Sequence, residues 1–253
     1  MTCKPVKYLL LPAVIIPGLL FSGQSVQADD HTQLVEDAGA WFQAVGEGSL
    51  KGVDPSLEKA RVWVEGQSRF DQGMDHWYQG MIRAAAGYSV TDRLTVWAGY
   101  TYLPTENVTY KSAQAGQPVN GQPVSQQDVW PAIRYILPTD IGSFTFRTMW
   151  ESNFGLGSQV RERPRQMIKF AHPFEFEPRL SAIVWDEAFY RVNTTNWGGK
   201  TGFDQNRAFA GIGWAFNSNI RTELGYMNQY LDGANHINTS MHHLGMASVF
   251  VNF

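Results

Sequence analysis

Apolar and polar side chains alternate over segments of about ten residues along most of this chain, and a period of two is that of a β-strand. The clearest segment is ARVWVEGQSRF at residues 60–70. Val62 and Val64 fall on one face of this segment, and Arg61 and Glu65 fall on the other. The pattern therefore predicts a strand with one apolar face and one charged face.

The same alternation recurs through the chain. The clear further segments are YQGMIRAAAGY, LTVWAGYTYL, SFTFRTMWESNF, NRAFAGIGWAF and IRTELGYMNQY. Weaker segments are residues 41–48, 129–137, 165–172 and 180–192, and a terminal segment brings the count to eleven. Single-chain bacterial barrels normally have an even number of strands. Either one strand is missing from this count or the segment around Trp41 does not span, and both ten and twelve strands agree with the pattern.

The connections between these segments alternate in length. Short connections lie at residues 91–93, 138–142, 173–178 and 217–219. Longer and more polar connections lie at residues 71–76, 105–128, 154–159, 193–202 and 232–240. Short turns at one end and long loops at the other are typical of outer-membrane barrels. The stretch 105–128 is then the largest external loop, and the alternative is a linker between two domains.

The alternation without a long apolar run sets the expected fold. No run after Ala28 approaches the roughly 18 apolar residues of a membrane helix. A chain that enters a membrane with strands must close into a barrel, because lipid cannot satisfy an open sheet edge. We therefore predict that residues 29–253 form an all-β fold, a closed antiparallel transmembrane β-barrel of about ten to twelve strands, with short periplasmic turns and longer extracellular loops.

Tyrosines near strand ends agree with this fold. Tyr78, Tyr88, Tyr100 and Tyr226 are placed as the aromatic girdles of a membrane barrel require. The alternative is a soluble β-sandwich, whose strands also alternate. A sandwich core does not account for the charged residues in the middle of many strands, so the membrane barrel is the better interpretation.

The first 28 residues differ from the rest of the chain. They carry Lys4 and Lys7, then an apolar stretch at 8–21, and they close on the small residues Val26 and Ala28. This order is typical of an export signal cleaved after Ala28, and the alternative is a helical membrane anchor. We predict a signal peptide at residues 1–28 and a location in the bacterial outer membrane.

Cysteine content and charge exclude other kinds of chemistry. Cys3 is the only cysteine and lies in the predicted signal, so the mature chain has neither disulfides nor thiolate chemistry. The formal net charge is −3, and removal of residues 1–28 takes away two lysines and no acidic residue. A chain with this acidic balance is not expected to bind nucleic acid.

If the apolar face meets lipid, the charged face lines the lumen. The candidate lumen-lining residues are Arg61, Glu65, Arg83, Arg134, Arg147, Glu187, Arg207 and Glu223. Charges withdrawn from water need partners, so this set predicts either a structural network of ion pairs or a constriction that selects solutes. An excess of arginine would favour anionic solutes. We therefore predict a narrow channel or a structural barrel with a charged lumen, and a small solute is the candidate ligand.

Two other functional classes compete with this interpretation. A lipid acyl hydrolase or transferase would use a histidine, a serine and a carboxylate near the rim, and His236, Ser240 and Asp232 lie close in sequence. Histidines in exposed loops are usually solvated, so no catalytic residue is assigned. His242 and His243 are neighbours on a strand and point to opposite faces, so no metal or other cofactor is expected. The third class is a barrel whose loops dock a partner protein.

The chain ends on HHLGMASVFVNF, in which Val249, Val251 and Phe253 share one face. A terminal Phe253 after alternating apolar residues resembles the signal by which barrel-assembly machinery recognises its clients. We expect this machinery and outer-membrane lipid to be the partners. We also expect the last strand to pair with the first, because that pairing removes both free edges.

Three segments resemble a known bacterial family. VWDEAFYRVN, GFDQNRAFAGIGWAF and IRTELGYMNQY are similar to segments of the family called domain of unknown function 2490. The similarity covers most of residues 38–253. The resemblance implies an outer-membrane β-barrel, and it brings neither an activity nor catalytic residues.

Overall fold

The computed structural model describes residues 33–105, 124–154, 158–197, 199–232 and 238–253. These residues form eleven strands and three short 3-10 helices, at Leu50–Gly52, Pro55–Leu57 and Gln72–Met74. The strands are β1 (Gln33–Ser49), β2 (Ala60–Asp71), β3 (His76–Ser89), β4 (Leu94–Thr105), β5 (Val124–Thr139), β6 (Gly142–Phe154), β7 (Arg161–Phe174), β8 (Glu177–Arg191), β9 (Gly202–Ala215), β10 (Ile220–Leu231) and β11 (Asn238–Asn252). The predicted signal peptide and most of the predicted loop 105–128 lie outside the described residues.

The eleven strands close into one barrel, which confirms the predicted fold class. Strands that follow each other in sequence pair antiparallel, and β1 and β11 pair in parallel from Gln33 opposite Asn238 to Glu47 opposite Asn252. In an up-and-down barrel with an odd number of strands, the first and last strands run in the same direction. The sheet is therefore mixed and not antiparallel throughout. The segment around Trp41 is a full member of the wall, and no further strand is needed among the described residues.

The two ends of the barrel differ. Connections within 50–59, 90–93, 140–141, 175–176 and 216–219 lie at one end, here called the short-turn end, together with Phe253. The other connections lie at the opposite, long-loop end, where β1 and β11 also begin. Four of the connections at the short-turn end are short, as predicted, but 50–59 has ten residues and 72–75 at the opposite end has four, so the predicted alternation holds in part. This arrangement also places the beginning of β1 and the end of β11 at opposite ends of the barrel.

Side-chain hydrogen bonds close two of the short turns. The Thr91 hydroxyl oxygen accepts from the backbone N–H groups of Arg93 and Leu94, at 3.2 and 3.0 Å. The Asn217 side-chain oxygen accepts from the N–H groups of Asn219 and Ile220, at 2.8 Å each. Threonine and asparagine are common in tight turns because their side chains satisfy backbone donors locally. These residues explain why the hairpins β3–β4 and β9–β10 turn where the sequence indicates.

The outer surface of the barrel wall is largely apolar. Ile82 and Leu224 are each 61% exposed, and the other large apolar residues on this surface include Val64, Val96, Val129, Ile133, Trp150, Ile168, Val184, Ile212 and Val249. Soluble monomers seldom expose continuous apolar surface of this extent. No helix in the described part of the chain is long and apolar enough to cross a membrane.

One predicted girdle residue lies on the other side of the wall. Tyr78 is only 8% exposed, whereas Trp77 takes the outer position. The pairing register shifts here, because Arg69 lies opposite Gln79 and the next residue of β2 lies opposite Trp77. Tyr78 is the extra residue of this β-bulge, and a bulge interrupts the alternation of faces. Tyr88, Tyr100 and Tyr226 lie on the outer surface as expected.

Candidate functional site

The barrel encloses a cavity of about 540 Å³. All eight residues that the alternation proposes for the lumen contribute to its wall: Arg61, Glu65, Arg83, Arg134, Arg147, Glu187, Arg207 and Glu223. Exposed residues near the short-turn end, among them Asp92, Arg93 and Asn252, also belong to the wall. The cavity therefore extends from the middle of the barrel to its short-turn end and opens there.

Toward the long-loop end the lumen is filled by polar side chains. Each of them is less than one tenth exposed, and the set includes Thr101, Thr105, Asn153, Arg161, Gln205, Gln229 and Ser240. The guanidinium of Arg161 donates to the side-chain oxygen of Asn153 at 2.8 Å, and the Asn153 amide donates to Asp128 at 2.6 Å. A buried and mutually hydrogen-bonded layer of this kind closes the floor of the cavity.

Glu151 is the centre of the charge network and is 1% exposed. Arg163 and Arg165 of the neighbouring strand each approach its carboxylate to 2.7 Å. Arg83 reaches the same carboxylate from β3, at 3.8 Å. Since β3 and β6 are not neighbours in the barrel, the last contact runs through the lumen. One carboxylate thus holds three guanidinium groups.

Glu187 forms the second centre. Arg165 donates to both of its carboxylate oxygens, at 2.9 and 2.6 Å, and Arg147 approaches it to 2.9 Å. Arg165 therefore links Glu187 to Glu151. Arg83, which contacts Glu151, also lies 3.3 Å from the carboxylate of Glu65. Charge-assisted and bidentate hydrogen bonds are stronger than hydrogen bonds between neutral groups. The network therefore links several strands firmly to one another.

Two further ion pairs cross the lumen. Arg134 of β5 bonds to Glu47 of β1, and Arg61 approaches the same carboxylate to 2.9 Å. Lys169 of β7 bonds to Glu223 of β10. Neither pair of strands is adjacent, so each bond spans part of the bore. These bridges narrow the lumen near its open, short-turn end.

Sequence reasoning missed several members of the network. Asp204 lies 2.9 Å from Arg163, and Arg191 lies 3.0 Å from Asp232. A register shift between Phe189 and its successor leaves Asp204 unopposed, so simple alternation gives it the wrong face. Glu47 lies in a segment with weak alternation. Glu47 and Trp41 both occupy odd-numbered positions of β1 and therefore share a face. This shared face was the signal from which the lumen position of Glu47 could have been predicted.

Tryptophans on the inner wall support the arginines. Trp63 packs edge-on against Trp97 and Trp130, with ring centroids 5.6 Å apart in both pairs. Arg83 lies 5.4 Å from the Trp130 ring, and Arg134 lies 5.4 Å from the Trp97 ring. Guanidinium groups favour such faces because the ring carries negative charge density there. The aromatic wall therefore holds the cations without neutralising them.

Of the eight sequence-derived residues, seven form an ion pair. Arg207 has no ion-pair partner among the described residues. On the whole cavity wall, the described residues comprise twelve lysines and arginines but seven aspartates and glutamates. This balance contrasts with the net charge of −3 for the chain. The cavity is therefore a cationic compartment of an acidic protein.

Comparison with known proteins shows the family. Residues 38–241 match a family described as a protein of unknown function (DUF2490). The chain belongs to the DUF2490 family. An uncharacterised protein of Methylorubrum extorquens is 29% identical to this DUF2490 protein over 197 residues, which cover 77% of this chain and 79% of the relative. No solved structure matches it. The family resemblance stated from β8, β9 and β10 is thereby confirmed.

The terminal Phe253 of the DUF2490 protein is held by the first strand. Its backbone N–H donates to the carbonyl of Glu47 at 3.1 Å, and its carbonyl accepts from Ser49 at 3.0 Å. The last strand thus pairs with the first, as expected from the sequence. Recognition of Phe253 by assembly machinery stays a prediction.

Ser240 and Asp232 are the residues of the enzymatic alternative that lie in the described part of the chain. The Ser240 hydroxyl is buried without a hydrogen-bond partner, and Asp232 contacts Arg191. His236 lies outside the described residues. His242 is buried, whereas His243 shares a hydrogen bond of 2.6 Å with the Tyr226 hydroxyl. No group of three or more potential metal ligands occurs among the described residues.

Proposed function

We propose that this DUF2490 protein is an integral outer-membrane β-barrel whose lumen is a blind cationic cavity open to the periplasm. The observation that carries the proposal is the distribution of charge. Most ionised side chains of the wall face the closed interior, while the outer wall is largely apolar, with Asp186 as an exposed acidic exception. In water this distribution would be costly, whereas in lipid it is the one that minimises the free energy.

The closed sheet supports a membrane location. Every strand of the wall has two paired neighbours, so the wall has no open edge. Lipid offers no hydrogen-bond partners, and closure is the way a sheet satisfies its backbone within a bilayer. The predicted export signal at residues 1–28 would deliver the chain to the compartment where such barrels assemble.

The lengths of the connections support one orientation of the barrel in the membrane. Outer-membrane barrels keep their short turns on the periplasmic side. With that orientation, Phe253 and the mouth of the cavity face the periplasm, and the floor of buried polar residues faces outward. The beginning of β1, near Gln33, then lies on the cell surface.

Cross-lumen ion pairs favour a blind cavity over a through-pore. A permeating ion would have to pass the buried polar floor and displace bonds such as Arg83 to Glu151. Separating the two partners of a buried ion pair leaves an uncompensated charge, which costs several kcal/mol. The second candidate is a narrow anion channel, and the excess of cations on the wall favours it.

Fractionation and conductance test the proposal. The refolded chain should show heat-modifiable gel migration, and the cellular protein should be recovered with outer membranes. In planar bilayers we expect no steady conductance. Steady anion-selective currents would replace the blind cavity with the channel, and recovery from the soluble periplasm would overturn the membrane barrel.

A further inference from the structure

One part of the cavity wall carries donors without matching acceptors. Arg69 and Arg207 both lie against the ring of Trp41, with their guanidinium carbons 4.0 and 4.9 Å from its centroid. Arg207 also lies 4.7 Å from the ring of Phe189. Two cations therefore share one aromatic side chain that is itself only 2% exposed. We call Trp41, Arg69 and Arg207 the Trp41 cluster.

Arg207 is the exceptional member of this cluster. No hydrogen bond or ion pair to its guanidinium occurs among the described residues, and its Nε atom is buried without an acceptor. Glu187 lies directly opposite Arg207 on the neighbouring strand. Its carboxylate is engaged by Arg147 and Arg165 instead. Glu187 therefore forms no ion pair with Arg207, although it lies opposite Arg207 in the sheet.

The other two members do not supply the missing acceptor. Arg69 donates to the side-chain oxygens of Gln67 and Gln79, which are uncharged. The indole N–H of Trp41 is buried next to the Tyr78 hydroxyl, which is uncharged. Like charges close together at a partly desolvated site repel each other, and unpaired donors there carry a further cost. A bound anion would remove both penalties.

The surroundings of the cluster indicate the rest of the ligand. Ile183, Phe209 and Met246 form one apolar cluster with Trp41, and Trp185 packs against it. All of these residues also line the cavity. Its volume of about 540 Å³ falls in the range of roughly 300–1,000 Å³ that small-molecule sites occupy. A ligand here can place a negative group at Arg207 and an apolar body against this wall.

We propose that the Trp41 cluster binds a small organic carboxylate with an apolar body, which enters from the short-turn end. The guanidinium of Arg207 donates to the carboxylate in a planar, paired geometry, and the stacked rings hold that guanidinium in place. The inference deepens the proposed function and rests on it for the cellular location of the site. The binding itself needs only the folded barrel.

The test is titration of the refolded full mature chain in detergent with benzoate, benzamide and inorganic phosphate, followed by tryptophan fluorescence and calorimetry. Benzoate should bind and raise the melting temperature. Uncharged benzamide and phosphate should each bind at least about tenfold more weakly, because one lacks the charge and the other lacks the apolar body. Equal binding of benzamide or phosphate, or no binding of benzoate, would overturn the proposal.

Variants assign the binding to Arg207. Arg207→Gln should weaken benzoate binding by about tenfold or more. Arg179→Gln is the matched control, because it removes a cation of the same wall that is already paired with Glu177 at 2.8 Å. This control should bind as the wild type does. Unchanged binding by Arg207→Gln, or an equal loss in both variants, would contradict the assignment.

The melting temperature of the ligand-free variants provides a second readout. Arg207→Gln should melt at or above the wild-type temperature, since it removes an unpaired cation next to Arg69. A variant that melts lower or does not refold would show that Arg207 has a structural partner, and this would overturn the proposal. The detergent titration needs no membrane. Recovery of the protein from the soluble periplasm would therefore count against the proposed function alone.

Discussion

The ring of Phe253 lies directly over Gly48. A Cβ atom added at Gly48 would be 2.2 Å from the Phe253 carbonyl oxygen and 2.3 Å from its ring. The absence of a side chain at this position of β1 thus makes room for the last residue of the chain. The seam between β1 and β11 ends in this contact.

We expect deletion of Phe253 or the change Phe253→Asp to impair assembly. The variant lacks the ring that packs on Gly48, and it loses the terminal aromatic that resembles the assembly signal. The measurement is the amount of heat-modifiable barrel in outer membranes, with degraded precursor as the accompanying sign. Normal membrane levels would show that the terminal row is ordinary packing.

Gly48→Ala should give a weaker form of the same defect. Its methyl group must displace the Phe253 backbone, so the yield of folded barrel should fall. Gly52→Ala is the matched control, because nothing lies within 4 Å of the added atom. Equal yields from the two variants would contradict the role of the contact.

Arg147→Glu should destabilise the barrel by about 3–5 kcal/mol, because it places a carboxylate against the buried Glu187 where an ion pair stood at 2.9 Å. Thermal melting in detergent measures the loss. Arg179→Glu provides the control, since it reverses the charge of an exposed partner of Glu177 and should change the melting temperature little. Unaltered melting of Arg147→Glu, together with shifted ion selectivity in bilayers, would instead support the channel.

Gly99→Ala should destabilise the inner wall by about 1–3 kcal/mol through overpacking. The new methyl carbon would lie 2.3 Å from the Trp130 ring, which packs against Trp63. Gly66→Ala serves as the comparison, because its methyl group meets no atom within 4 Å. Melting curves that coincide for the two variants would show that the tryptophan can move away without cost.

Cysteine labelling of whole cells tests the orientation. Val53 is 80% exposed at the short-turn end, and Met74 is 52% exposed at the long-loop end. In a Cys3→Ser background, a membrane-impermeant maleimide should label Met74→Cys in intact cells. Val53→Cys should react only after the outer membrane is permeabilised. The reverse result would invert the proposed orientation and turn the cavity mouth outward.

Alternation in the sequence predicted much of this architecture, because in a barrel wall each side chain faces either the outside or the lumen. It failed where the period breaks. Tyr78 and Asp204 both lie at register shifts, and a bulge has no signature in the spacing of apolar residues. The pairing of β11 with β1 was expected, but its parallel direction was not, because an even number of strands would make that pairing antiparallel.

The candidate site was predicted as a set of residues but not as a set of partners. Spacing placed Glu187 and Arg207 on the inner face, where they lie directly opposite each other. Glu187 pairs with Arg147 and Arg165 instead of Arg207. Which arginine it pairs with depends on how far the side chains reach across several strands, and the residues around Glu187 in the sequence do not reveal this.

The odd number of strands sets a limit on how this barrel is related to others. Gain or loss of a whole hairpin changes the count by two, so hairpin events alone never convert an even barrel into an eleven-stranded one. A common ancestor with an even barrel would require that a single strand was gained or lost. Such an event at the amino end moves that end to the opposite end of the barrel. A relative with ten or twelve strands that differs at its amino end would therefore begin its barrel at the opposite end of the wall from this one.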